Sequence, residues 1–464
     1  MRNKRSLNKI LLSFLISVTI IFLNSCSSYQ EIIIPHLPSG PSSPAKFGAY
    51  YTKLNYYPEW DKQWRVGDYA DVVVRFDTGG EKFVFWRGTN YIPHWVSENN
   101  IWYNNEFTET WETIGSSEPM SDKQCRYSNV RIIENNDARV VVHWRYALND
   151  VNYRIAFPDS STSWGDWCDE YYILYPDGIG TRKVVLFSNH LEDNRRATAD
   201  AGHEWQEGIV LYHANTTPEE VVNIDAVHVA NMNGEVGKWS WEIHGKPKTE
   251  IPKESNIVLM NLKSVLKPFI ISELGCNLDA YEGSQGGSHF RWRDHWPTTT
   301  EPTPGRNASG KQAAHGSFFH LTNIPIYQRE KNSITKVMLH GMTDKKIEDL
   351  VPIAKSWINS PVLSDNKGFT SNGYDIAQRA YILTANELNL NFKINASEKS
   401  PLINPCFVIK NWDENKPSLI INDLPQIEGK DYRIGIERTL EGNYLIIWTN
   451  LNSHDLTKIS LSRL

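Results

Sequence analysis

Two histidines, two arginines and two tryptophans fall within the ten residues SHFRWRDHWP at 288–297. Gly, Pro and Thr on both sides exclude regular structure, so His289, Arg291, Arg293, His295 and Arg306 belong to a long loop, a setting that is usually functional or disordered. The interleaved Phe290, Trp292 and Trp296 argue against disorder. Three further stretches gather titratable groups in a way that strand packing does not require. WRGTNYIPHWVSENNIWYNNEFTETW (86–111) carries Arg87, His94, Tyr103, Glu106 and Glu109. In VVVHWRYA, His143 and Arg145 stand two apart and share one face of a strand, with Trp144 and Tyr146 on the other. In GDWCDEYYILYPDGIG, Glu170 and Tyr172 share a face, as do His203, Trp205 and Glu207 in HEWQEGIV.

This inventory suits abstraction of a proton next to a carboxylate. Breaking a uronic-acid polymer by β-elimination requires loss of the C5 proton, which is acidic only when the neighbouring carboxylate is neutralised. Arg or His donors do that, at roughly 3–4 kcal/mol per well-placed group. A His or Tyr then takes the proton and another returns one to the leaving oxygen. A glycoside hydrolase would need two paired carboxylic residues. Glu106, Glu109, Glu204 and Glu207 are available, but sequence does not pair them. His203-Glu204 lacks the second histidine of a zincin, and GGSHF is not a nucleophile elbow between strand and helix. The alternatives are therefore a hydrolase acting on an acidic polysaccharide, or a surface protein that binds glycan without catalysis.

The elements that must carry these groups are strands. DYADVVVRFDTGG, EKFVFWRG, NVRIIENNDARVVVHWRYA and DEYYILYPDGIGTRKVVLFS alternate or run apolar and stop at NND, PDG or GG turns, as antiparallel hairpins do. HEWQEGIVLY (203–212) continues the pattern. One helix is predicted in IEDLVPIAKSWINSP, capped by Asp349, with Pro352 in its first turn and Leu350, Ile353, Ala354 and Trp357 on one face. Strands resume after Pro361. The expected fold is all-β: a large twisted antiparallel sandwich, supersandwich-like, over 47–360, with a smaller C-terminal β-sandwich over 361–464. A β-propeller is the alternative, weakened by the absence of a blade period.

Residues 1–26 read as a secretory signal: four basic residues, a short apolar run, then LNSC. That order resembles a bacterial lipoprotein signal, with Cys26 expected as the lipidated first residue of the mature chain; Asn24 is an imperfect lipobox residue, which leaves ordinary cleavage or an uncleaved anchor as alternatives. Removing this segment takes the net charge from -6 to -10, an acidic body that argues against nucleic acid as a partner. The Ser/Pro-rich 27–46 reads as a tether. Cys125, Cys168, Cys276 and Cys406 show no metal-binding spacing and are expected as small buried hydrophobes. The 17 Trp and 21 Tyr suit sugar faces, which stack on rings and hydrogen-bond beyond them.

WRGTNYIPHWVSENNIWYNNEF, EPMSDKQCRYSNVRIIENNDARVVVHWRYA, DEYYILYPDGIGTRKVVLFS, HEWQEGIV and the HWP of the loop resemble exported lipoproteins of marine Bacteroidetes among the ulvan-degrading polysaccharide lyases. The likeness continues into SNGYDIAQRAYILTA. It implies eliminative cleavage of ulvan between a sulfated rhamnose and glucuronic or iduronic acid, leaving an unsaturated uronate. It supplies no catalytic residues; the site comes from chemistry and strand geometry. His143 and His203 are expected as base or acid and Tyr172 as proton shuttle, with Arg145, Arg291 and Arg293 on the carboxylate or sulfates. Trp292 and Trp296 would stack on sugar rings, and Arg87, His94, His289 and His295 would complete the substrate contacts. No metal site or cofactor is expected, and the residues leave open whether calcium or another ion assists. The protein is expected to be a monomeric outer-membrane lipoprotein that meets the membrane only through its lipid.

Overall fold

The computed structural model describes residues 46–54, 70–105, 107–113, 115–122, 124–193, 198–213, 215–240, 248–280 and 314–463. Cys26, residues 27–45 of the tether, Glu106 and the loop with His289, Arg291, Trp292, Arg293, His295 and Trp296 lie outside the described residues.

The alternating runs seen in sequence form two large antiparallel sheets. One has eight strands, from Gly48–Thr52 at one edge to Asn277–Ala280 at the other; the second has eleven and includes Asn129–Asn135, Val140–Ala147, Trp167–Leu174, Ile179–Phe187 and Ser333–Thr343. Neither closes into a barrel, and sheets this wide are not the four-stranded blades of a propeller, so the fold is the open all-β sandwich. The PDG sequence makes the tight turn into Ile179–Phe187. Gly178 there takes φ +72, a left-handed conformation that a side chain would strain.

Even-numbered positions of the central strands point between the sheets. Tyr172 meets Phe83 and Phe85 of the facing sheet at 5.2 and 5.4 Å between ring centroids, and Trp95 Nε1 donates to His340 Nδ1 across the gap at 2.8 Å. Trp86, Trp95, Trp102 and Trp144 are buried in this core. The aromatic content noted in sequence is thus partly core filling.

The opposite face of the eleven-stranded sheet is partly covered in two places. The predicted helix forms as a 3-10 turn, Ile347–Leu350, followed by an α-helix, Val351–Ile358. Leu350, Ile353, Ala354 and Trp357 are buried against Phe269, Val337 and Leu339. Asp349 caps one turn earlier than expected for the α-helix, accepting from the Lys346 backbone N–H at 3.3 Å. Residues 362–463 form two five-stranded sheets around a core that includes Leu383, Phe392, Phe407 and Ile447. Their strand Ala380–Ala385 runs parallel to Cys406–Lys410, an exception to the antiparallel pattern. Ile382, Val408, Ile446 and Trp448 pack on Val141 and Ile173. An Arg379–Asp177 ion pair at 2.8 Å and an Asn136–Glu437 hydrogen bond at 2.8 Å hold the two parts together.

Cys125, Cys168, Cys276 and Cys406 are all free thiols; three are buried and Cys125 is partly exposed.

Candidate active site

Odd-numbered positions of the central strands point away from the main core. Tyr171 stands opposite His143, and Asp169 opposite Arg145, in the antiparallel ladder between Val140–Ala147 and Trp167–Leu174. Arg131, on the neighbouring strand, pairs with His143 from the other side. The sheet therefore gathers five titratable side chains beside the surface covered by residues 362–463.

His143 Nε2 lies 2.6 Å from Asp169 Oδ1, and Arg131 Nε donates to His143 Nδ1 at 3.1 Å. A carboxylate accepts and a guanidinium donates, so this pattern places the imidazole proton on Nε2 and the lone pair on Nδ1. That lone pair is covered by an exposed, long side chain. Arg145 Nη1 reaches Asp169 Oδ2 at 3.1 Å, and the Arg145 side chain remains 38% exposed. The Tyr171 ring stacks on His143 with centroids 4.8 Å apart, and Lys183 Nζ stands 6.0 Å from the Tyr171 ring. Partial burial and the Asp169 charge raise the Tyr171 pKa, opposed by Arg131 and Arg145, so its hydroxyl is protonated at neutral pH.

A strip of rings and cations extends from this group. Arg145 lies over Trp167 at 5.4 Å, Trp167 packs on Trp164 and Tyr127 at 5.2 and 5.6 Å, and Arg126 lies over Tyr153 at 4.1 Å. Trp164 is 53% exposed. The strip reaches a cavity of about 340 Å³ lined by Tyr51, Tyr91, Arg126, Tyr127 and Asn129.

Among the described residues, Tyr172, His203, Arg87 and His94, also expected at the site, lie elsewhere. Tyr172 is not on the His143 face: its hydroxyl donates to Glu170 Oε2 at 2.5 Å, inside the sandwich. Burial, with the Glu170 charge, pushes the Tyr172 pKa well above its usual value, which makes it a fixed donor and removes it as a shuttle. Glu170 also accepts from Tyr146 at 2.6 Å and from Arg182 at 2.7 and 2.8 Å. Arg182 goes on to the carbonyls of Asn105 and Trp205, both at 2.8 Å. This buried network holds the loops at the sheet ends.

His203 precedes its strand, which begins at Glu207 and not at 203. Its Nε2 faces Asp166 Oδ2 at 2.8 Å and its Nδ1 faces the Ala201 carbonyl at 2.6 Å. Both nitrogens are taken up by protein oxygens, so neither is open to a substrate in this arrangement. Arg87 and His94 are 2% and 0% exposed. Burial holds the His94 pKa at about 3, a neutral core imidazole beside Trp102, so these two do not present side chains to a substrate.

Of the four glutamates left unpaired by sequence, Glu109 and Glu204 form an antiparallel bridge, with both N–H···O distances 3.0 Å. Burial, then the charges of Glu118 and Glu204, raise the Glu109 pKa well above the usual range. Its carboxyl is buried and takes the Ser116 hydroxyl, which turns it away from solvent.

Sequence reasoning missed Asp169, Tyr171, Arg131 and Trp167. The strand alternation was visible and puts 167, 169 and 171 on one face, but the register that sets that face beside His143 crosses a long connection.

No protein-family model matches the chain, and no curated protein matches it. A galactose 1-epimerase from Lactobacillus acidophilus is 8% identical, with 64% of this chain and 99% of that one covered at a TM-score of 0.27. A heparan sulfate lyase from Pedobacter heparinus is 10% identical, with 76% and 41% covered at 0.25. A heparinase III is 9% identical, with 76% and 40% covered at 0.23. The chain thus spans about two fifths of the length of these two lyases. Scores this low carry no weight for activity, which has to be read from the side chains.

Proposed function

We propose that the protein is a polysaccharide lyase that cleaves ulvan by β-elimination, with His143 as the base. The observation that carries this reading is the hydrogen bonding of His143, with Asp169 on Nε2 and the exposed Arg131 donating to Nδ1. A uronate carboxylate entering the patch would draw Arg131 and Arg145 to itself. That pairing acidifies the C5 proton and uncovers Nδ1 in the same movement. His143 takes the proton, and Asp169 stabilises the imidazolium that forms. As the C5–H electrons become the C4=C5 double bond, the C4–O bond breaks and Tyr171 gives its proton to the leaving oxygen. Solvent then reprotonates Tyr171 and receives the proton held by His143. Trp164, Trp167 and Tyr127 offer ring faces to neighbouring sugars. The sequence resemblance supports ulvan as the polymer, and the acidic body with a local cationic strip supports an anionic one.

Ultraviolet absorbance after mixing with ulvan tests the reaction. A rise from the new double bond is expected. New reducing ends without absorbance would mean hydrolysis, and neither would mean a glycan binder.

A further inference from the structure

We propose that the protein has a second saccharide site, for an uncharged sugar, in the cavity between Trp111 and Trp205. This inference does not depend on the lyase reading. The cavity, of about 300 Å³, is built from the 198–205 segment, Trp111 and the strand Ala314–Thr322. Its size falls at the low end for ligand pockets, roughly 300–1,000 Å³, which gives room for a small saccharide.

Its wall combines a rim ring, a fixed inner ring and hydrogen-bond acceptors. Trp111 is 67% exposed, an unusual position for an indole. Trp205 is held in place: Nε1 donates to the Asp200 carbonyl at 2.7 Å, and Lys336 Nζ sits 4.5 Å from its ring. Glu204 and Asp200 supply carboxylates, and Thr322 a hydroxyl. His320 Nδ1 meets Glu204 at 2.8 Å and Nε2 meets Asp279 at 3.3 Å, and Lys336 meets Asp200 at 3.2 Å. His320 and Lys336 are thus already matched to carboxylates, and no lysine or arginine lines the cavity among the described residues. Such a wall accepts hydrogen bonds from sugar hydroxyls, and the exposed Trp111 ring can stack on a C–H face, while Trp205, 1% exposed, closes the floor. It repels a carboxylate or sulfate, the opposite selectivity to the strip around Arg145. The two sites would therefore sort charged from uncharged sugars.

Titration calorimetry with methyl β-xylopyranoside, methyl α-rhamnopyranoside and glucuronate tests this on the full chain. At least one neutral glycoside should bind saturably, and Trp111→Ala and Glu204→Gln should each weaken it at least about tenfold, or about 1.4 kcal/mol. Trp111 is exposed, so its variant folds, and near-ultraviolet circular dichroism checks Glu204→Gln. Absence of binding by both neutral glycosides overturns the proposal. So does wild-type binding in both variants, or glucuronate binding that Trp111→Ala weakens equally.

Discussion

His143 and Tyr171 face each other across two paired strands, with their rings stacked at 4.8 Å, while Tyr172, the next residue, points into the core. Neighbouring tyrosines thus sit in separate environments, and the proposed mechanism uses only Tyr171. Tyr171→Phe should lower kcat about 100-fold and leave Tm unchanged. Tyr172→Phe should cost about 1–3 kcal/mol of stability, because it removes a buried donor to Glu170. Thermal melts and steady-state rates on both variants separate the roles; a rate loss confined to Tyr172→Phe would reverse them.

Asp169 fixes the His143 tautomer. Asp169→Asn keeps the shape but can present an N–H to Nε2, which moves the imidazole proton to Nδ1, where the base is needed. The loss in kcat should be on the order of 100-fold to 10⁴-fold, with the fold intact by circular dichroism. Near-wild-type turnover would remove the dyad from the mechanism.

Much of the fold was legible because strand alternation and turn residues are local signals. The PDG turn, the buried face of Val351–Ile358 and the opposed faces of His143 and Trp144 all follow from spacing. The site was legible only in part. His143 and Arg145 could be placed on one face, but their partners come from a register set by tertiary packing between Ala147 and Trp167. His94 and His203 look alike in sequence as polar residues among aromatics; only burial and partners show that one is a core imidazole and the other is closed off against Asp166 and the Ala201 carbonyl.

The Glu170–Arg182 pair is fully buried and supports the carbonyls of Asn105 and Trp205. Arg182→Met should destabilise the protein by about 3–5 kcal/mol, since it leaves the Glu170 carboxylate unpaired in the core. Chemical denaturation checks this. A change under about 1 kcal/mol would mean that the network adds little.

Burial lowers the Lys336 pKa to about 8, with Asp200 opposing the shift. The folded value lies below the unfolded one, so the cost of the buried charge is fully present below pH 8. It is relieved as pH rises from about 8 towards the ordinary lysine value near 10.4. Lys336→Met should raise Tm at pH 7 and flatten the stability profile over that window. A lower Tm at pH 7 with an unchanged slope would contradict this.

On the proposed mechanism, His143 removes the C5 proton of a uronate in a sulfated polymer. Initial rates of ultraviolet absorbance increase, measured with ulvan for wild type and His143→Ala at equal folded concentration, test it most directly. A steady rise is expected for wild type, and a rate at least about 100-fold lower for the variant. No rise with wild type, or an equal rise with both, would contradict it.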